Sequence, residues 1–170
     1  GLPNLSLVGP MTQEVVYRNG MVYTSFSQSF NWGGAETVAA VRMLGIDTVS
    51  SEATFDAVFG ADGIHYYFPA IYVDPQDRIH ATFSRSSDEE YISVHYVENF
   101  LSDPTSKLLR AGESHRSGGS PTRWGDYGGI APDPVDQNQV WVLHEYPGPS
   151  GSWRTWVGRF PSAIGEPTLA

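Results

Sequence analysis

The chain has 170 residues, 40% hydrophobic and 13% aromatic, with 18 glycines, 12 prolines and a net charge of −9. That length and apolar content are enough for one domain with a core, and they argue against disorder. The negative balance, with no local Lys/Arg cluster to offset it, speaks against nucleic acid as a partner, and no apolar run approaches the roughly 18 residues of a membrane-spanning helix.

There is no cysteine, which removes disulfides, thiolate nucleophiles and Cys-ligated zinc from consideration. No basic-then-apolar leader is visible at Gly1, so no targeting signal is read there.

In chain order, LSLVG (5–9) is a short apolar strand closed by glycine. VVYR and MVYTSFS flank Asn19-Gly20, the strongest short hairpin signal. TVAAVRMLGID (37–47) is ambiguous, because Ala35 to Leu44 alone fits an amphipathic helix. DAVFG (56–60) is another apolar stretch closed by glycine. AIYV (70–73) and IHATFSRSS (79–87) flank Asp74-Pro75, where Asp accepts from the backbone ahead and Pro presets φ. YISVHYVENF (91–100) and LLRAG (108–112) follow. GIAP (129–132) and VWVLHEY (140–146) flank Asp133-Pro134, and WRTWVGRF (153–160) closes the series.

These stretches recur. The strand–turn–strand units begin at 15, 70 and 129, which are 55 and 59 residues apart. A third strand follows each, at 37–47, 91–100 and 153–160. The position of 37–47 in that series predicts a strand. The closing glycines, Gly9, Gly60 and Gly112, form a second period of 51 and 52 residues. A unit of four antiparallel strands in roughly 50 to 60 residues is the blade of a β-propeller. The expected fold is all-β, a partial β-propeller of about three four-stranded antiparallel blades. Residues 1–11 are expected as the outer strand of a preceding blade, 12–62 and 63–120 as blades, and 121–170 as an incomplete blade. Three blades are fewer than a propeller's usual four to eight. The missing ones would belong to the same chain or to a second copy.

The segments YRNGxxY, FPAIYVDxxxxIxxxFSRSSxxEY, RWGDYGGIxxDPxxxxxVWxxxEY and WxTWVGRF cover most of residues 15–160. They resemble a group of secreted bacterial propellers placed with the sialidase-like, BNR-type superfamily. The resemblance implies that fold, export, and a place outside a bacterial cell or on its surface. It brings no catalytic residues with it.

RWGDY (123–127) falls in the crossing between LLRAG and GIAP. Its structural reading is a corner in which glycines allow close approach and Trp124 packs between blades. Its functional reading is a ligand site built from Arg123, Asp126 and Tyr127. In a propeller the crossing loops and the loops between second and third strands share one face. That face would gather 27–36, 84–90, 112–126 and 144–153, the most polar loops, and binding resides in such loops on a rigid scaffold. Trp32, Arg85, Asp126, Glu145 and Tyr146 are the candidates, aromatic rings for sugar faces and charged groups for hydroxyl or acidic groups.

Sialidase-like chemistry needs an arginine cluster, for which Arg85 and Arg123 could serve, and a phenol such as Tyr127 or Tyr146. The hallmark SxDxGxTW of that superfamily is absent: the equivalent stretches read IDTVSSEAT (46–54) and LSDPTSK (101–107). Ordinary glycoside hydrolysis needs two carboxylates, and Asp126 with Glu145 are the conceivable pair. Asp88, Glu89 and Glu90 read as a solvated loop or a calcium site, without EF-hand spacing. His65, His80, His95, His115 and His144 lack metal-ligand spacing, so zinc is not expected. Three functions follow: a module binding a glycan or protein partner through the crossing-loop face, an exo-acting glycosidase completed by other blades, or a structural segment of a cell-surface protein.

Overall fold

The computed structural model describes residues 5–6, 12, 14–116, 122–136 and 138–161. It is all-β, with no α-helix among the described residues. The first sheet runs β2 (Val15–Arg18), β3 (Met21–Phe30), β4 (Val38–Asp47), β5 (Ala53–Phe59). The second runs β6 (Ile64–Val73), β7 (Ile79–Ser87), β8 (Ser93–Val97), β9 (Lys107–Arg110). The third has three strands, β11 (Gly129–Pro132), β12 (Gln139–Pro147) and β13 (Trp153–Pro161). All three are antiparallel and ordered as in the chain. Most of 1–11 lies outside the described residues. The exception is β1 (Leu5–Ser6), which runs parallel to β10 (Thr122–Arg123) in the crossing segment.

The ambiguous stretch is strand β4. It is a central strand with a ladder on each side, and Val38, Ala40, Val41 and Met43 are buried. Its tertiary surroundings override a weak helical preference. At the β2–β3 hairpin, Asn19 and Gly20 take φ of 47° and 81°, the two left-handed residues of a two-residue turn that suits the strand twist.

The sheets stack face to face. Val41, Met43, Phe55 and Phe59 of the first sheet pack on Tyr66, Ile71, Ala81 and Phe83 of the second. The opposite face of the second carries Tyr72, Val94 and Tyr96 against Ile130, Val140, Val142 and Phe160 of the third. Cover on both faces explains why IHYYFPAIYV shows no alternation, since a strand buried twice reads as a continuous apolar run.

The recurring glycines mark tight packing. A Cβ on Gly112 would stand 2.3 Å from the Ile92 carbonyl oxygen, whereas one on Gly60 would meet the Trp32 ring at 3.0 Å. Backbone yields less readily than a ring edge. Gly112→Ala should therefore cost about 1–3 kcal/mol, and Gly60→Ala less, as read from urea-unfolding midpoints. Equal losses would show that the carbonyl contact is not the constraint.

Candidate functional site

One end of the stack carries the turns between first and second strands, joined by Asn19 Nδ2 donating to Asp77 Oδ1 at 2.7 Å. The other carries the crossing loops and the connections between second and third strands. There the Glu113 amide donates to the Pro147 carbonyl at 2.8 Å. Ser114 Oγ donates to the Gly148 carbonyl and accepts from the Gly151 amide, both at 2.7 Å. Arg116 donates to the Gly151 carbonyl at 3.0 Å, and the rings of Tyr91 and His115 meet edge to face at 4.7 Å. These bonds hold the segment after β9 against the β12–β13 connection.

The crossing then turns inward. Trp124 is buried with Tyr67, Phe68 and Ile92, at the junction of the first two sheets and the crossing. Gly125 takes φ of 40°, and a Cβ on it would lie 3.1 Å from Glu145 Oε2 and 3.4 Å from the Phe68 ring. Asp126 is buried, and Tyr127 is exposed. Glu145 has its Oε2 buried without a hydrogen-bond partner among the described residues, as does the indole N–H of Trp124.

Burial pushes the Glu145 carboxyl above the usual carboxylate range, and the charge of Asp126 pushes it further. The Trp153 side chain, the Arg116 charge and the Gly125 amide pull the other way. The structure thus brings Asp126 and Glu145 into electrostatic contact, beside the exposed rings of Tyr127 and Trp153.

The other candidates are elsewhere. Tyr146 follows Glu145 on β12, so it points to the opposite face. It is buried between the second and third sheets, with the Arg110 guanidinium over its ring at 4.6 Å. Trp32 lies in the β3–β4 connection of the first sheet, its ring tilted against Phe30 at 4.6 Å. Arg123 sits in β10, its side chain outside the described residues.

Arg85 is occupied within the second sheet. It donates to Glu90 at 2.7 Å and to Ser106 Oγ at 3.2 Å, while Glu90 accepts from His95 Nε2 at 2.8 Å. Ser106 Oγ stands 3.0 Å from His95 Nδ1. Hydroxyl, imidazole and carboxylate stand in series, yet every member is bonded within the ring, which makes it a tie between β7, β8 and β9. Glu90 is thus bonded to Arg85 and His95, while Asp88 and Glu89 are exposed. Among the described residues no group of three or more His, Asp or Glu could hold a metal ion.

Two features were missed in the sequence. Phe68 adopts φ of 52° at a break in the β6–β7 register. Its amide donates to Ser27 Oγ of the first sheet at 3.0 Å, and its carbonyl is 3.1 Å from His144 Nε2 of the third. The Glu145 amide donates to His144 Nδ1 at 3.1 Å, so the imidazole is neutral and carries its proton on Nε2. One strained residue is thereby held by all three sheets. The available signal was Pro69, since proline inside a strand marks a bulge.

The second is Glu14, whose carboxylate accepts from the backbone of Ile71 and Ile130, the inner strands of the other two sheets. Burial raises its pKa and those bonds offset part of the rise. In comparisons with known proteins, no family model, no curated protein and no solved structure matches the chain.

Proposed function

We propose that this chain is an extracellular propeller module that binds a glycan through its crossing-loop face, at Asp126, Tyr127, Glu145 and Trp153. The observation that carries the reading is the pairing of Asp126 with Glu145, in electrostatic contact beside the exposed rings of Tyr127 and Trp153. Carboxylate oxygens accept charge-assisted hydrogen bonds from sugar hydroxyls. The exposed Trp153 and Tyr127 rings supply the apolar surface on which a sugar face stacks. The likeness of residues 15–160 to secreted bacterial propellers supports an extracellular place.

A second reading rests on Glu145 alone. A carboxyl raised by burial and by a neighbouring carboxylate is what a glycosidase uses as general acid, with the second carboxylate as base or nucleophile. A panel of neutral, amino and acidic sugars, run for binding and for turnover, separates the two. Glu145→Gln should weaken binding at least about tenfold, or about 1.4 kcal/mol, and Asp126→Asn should act on the same ligand. Binding without turnover anywhere on the panel ends the glycosidase reading; neither binding nor turnover ends both and favours a structural segment.

A further inference from the structure

No large apolar side chain of β6, β7 or β8 is exposed, whereas the end sheets carry Val15 (68% exposed), Tyr17, Leu143 (49%) and Val157 (60%). The ladder registers show how these two ends are related. In the first and second strands the pairs Val15–Thr24, Ile71–Ala81 and Ile130–Val142 occupy matching places. Ile71 packs toward the first sheet and Ile130 toward the second. Val15, in the same place, faces outward, because its neighbours Val16 and Tyr23 face the second sheet.

The match extends across the sheet, since Val22 pairs with Ile46 as Val140 pairs with Phe160. The open column Val15, Val22, Ile46 of the first sheet therefore repeats the column Ile130, Val140, Phe160 that the third sheet lays on the second.

The opposite end carries the complementary surface. Leu143 pairs with Val157 as Thr82 pairs with Tyr96 and Ser25 with Met43. Met43 and Tyr96 each pack against the next sheet in the stack, while Val157 faces none among the described residues. A groove of about 300 Å³ runs along this face, lined by Ala131, Trp141, Leu143 and Val157, with Glu14 at its edge. One chain thus carries both halves of the joint already used twice within it, at opposite ends of the stack.

We propose that two copies close head to tail, the open face of each third sheet receiving the open face of the partner copy's first sheet. Both joints are then identical, as a two-fold ring requires. The three stacked antiparallel sheets among the described residues of each chain make six blades per ring, within the four to eight of closed propellers. The proposal rests on the ladders and the exposed faces, and does not depend on ligand binding.

Sedimentation velocity at micromolar concentration tests it, with a mass of two chains expected. Val157→Glu and Val15→Glu alter exposed residues, so circular dichroism and unfolding midpoints should stay near those of the unsubstituted chain. Each places a carboxylate in an apolar joint and should raise the dissociation constant at least about 100-fold. Leu143→Glu repeats the test on the third sheet should Val157→Glu fail to fold. A monomeric unsubstituted chain overturns the proposal, as does a mass that climbs through open-ended polymers. A folded variant that stays dimeric overturns the assignment of the faces.

Discussion

Replacing Asp74 with alanine is expected to cost about 3–5 kcal/mol of folding stability, the range for removing one partner of a buried charged network. Asp74 is fully buried in the turn between β6 and β7. Its Oδ1 accepts from the amides of Gln76 at 2.9 Å and Arg78 at 3.0 Å. Its Oδ2 accepts from Arg78 Nε at 2.6 Å and His80 Nε2 at 3.0 Å. Burial works against the charge, and the bonds from His80, Arg78 and Gln76 outweigh it, so the carboxyl stays below its usual pKa. Alanine would leave His80 and the turn amides without their acceptor, while Arg78, partly exposed, turns to water. Asparagine should fall between, because it keeps one acceptor but presents an amide to donors that already face that side. Urea denaturation measures the loss, and a change under about 1 kcal/mol for alanine would mean that the turn is held by its backbone alone.

The turn itself was legible: Asp-Pro between two apolar stretches announces a strand reversal. The carboxylate's reach to His80, six residues on, was not, because that contact exists only once β6 and β7 pair. The same limit holds at the site. The crossing position of RWGDY and the polar stretch 144–153 were enough to bring forward Asp126 and Glu145. Tyr146 was grouped with them by closeness in sequence, although adjacent strand residues point to opposite faces. Arg85 and Glu90 looked like loop charges until the β7–β8 ladder placed His95 and Ser106 beside them. Phe68 was hidden for a different reason. Its left-handed backbone opposes the local preference, since Pro69 disfavours the helical region before it. Such a residue persists only where its surroundings over-determine it. Here those surroundings are Ser27 and His144, which lie 41 and 76 residues away.

The His144 contact to that residue sets the protein's response to acid. The ring is fully buried; burial pushes its pKa down to about 4 from 6.5, and the bond to the Phe68 carbonyl only partly resists. Protonation would place a second N–H against the Glu145 amide that now donates to Nδ1. In the unfolded chain the ring takes up its proton near 6.5, and in the folded chain it refuses it until about 4. Its contribution is therefore complete at neutral pH, declines as pH falls from 6.5 to about 4, and is spent below that. The difference corresponds to about 3 kcal/mol. His80 and His95 are depressed by burial in the same direction and add to the loss. Glu145 and Glu14, whose pKa values are raised, act oppositely, since the folded state takes their protons first. Unfolding free energy followed from neutral pH to pH 4 should therefore fall, and His144→Gln, which keeps a donor for the Phe68 carbonyl, should remove about 3 kcal/mol of that fall. Gly128 leaves little room for the exchange, because a Cβ there would already stand 2.6 Å from His144 Nε2. The variant should consequently be less stable at neutral pH yet flatter in acid, and an undiminished slope would show that another group carries the dependence.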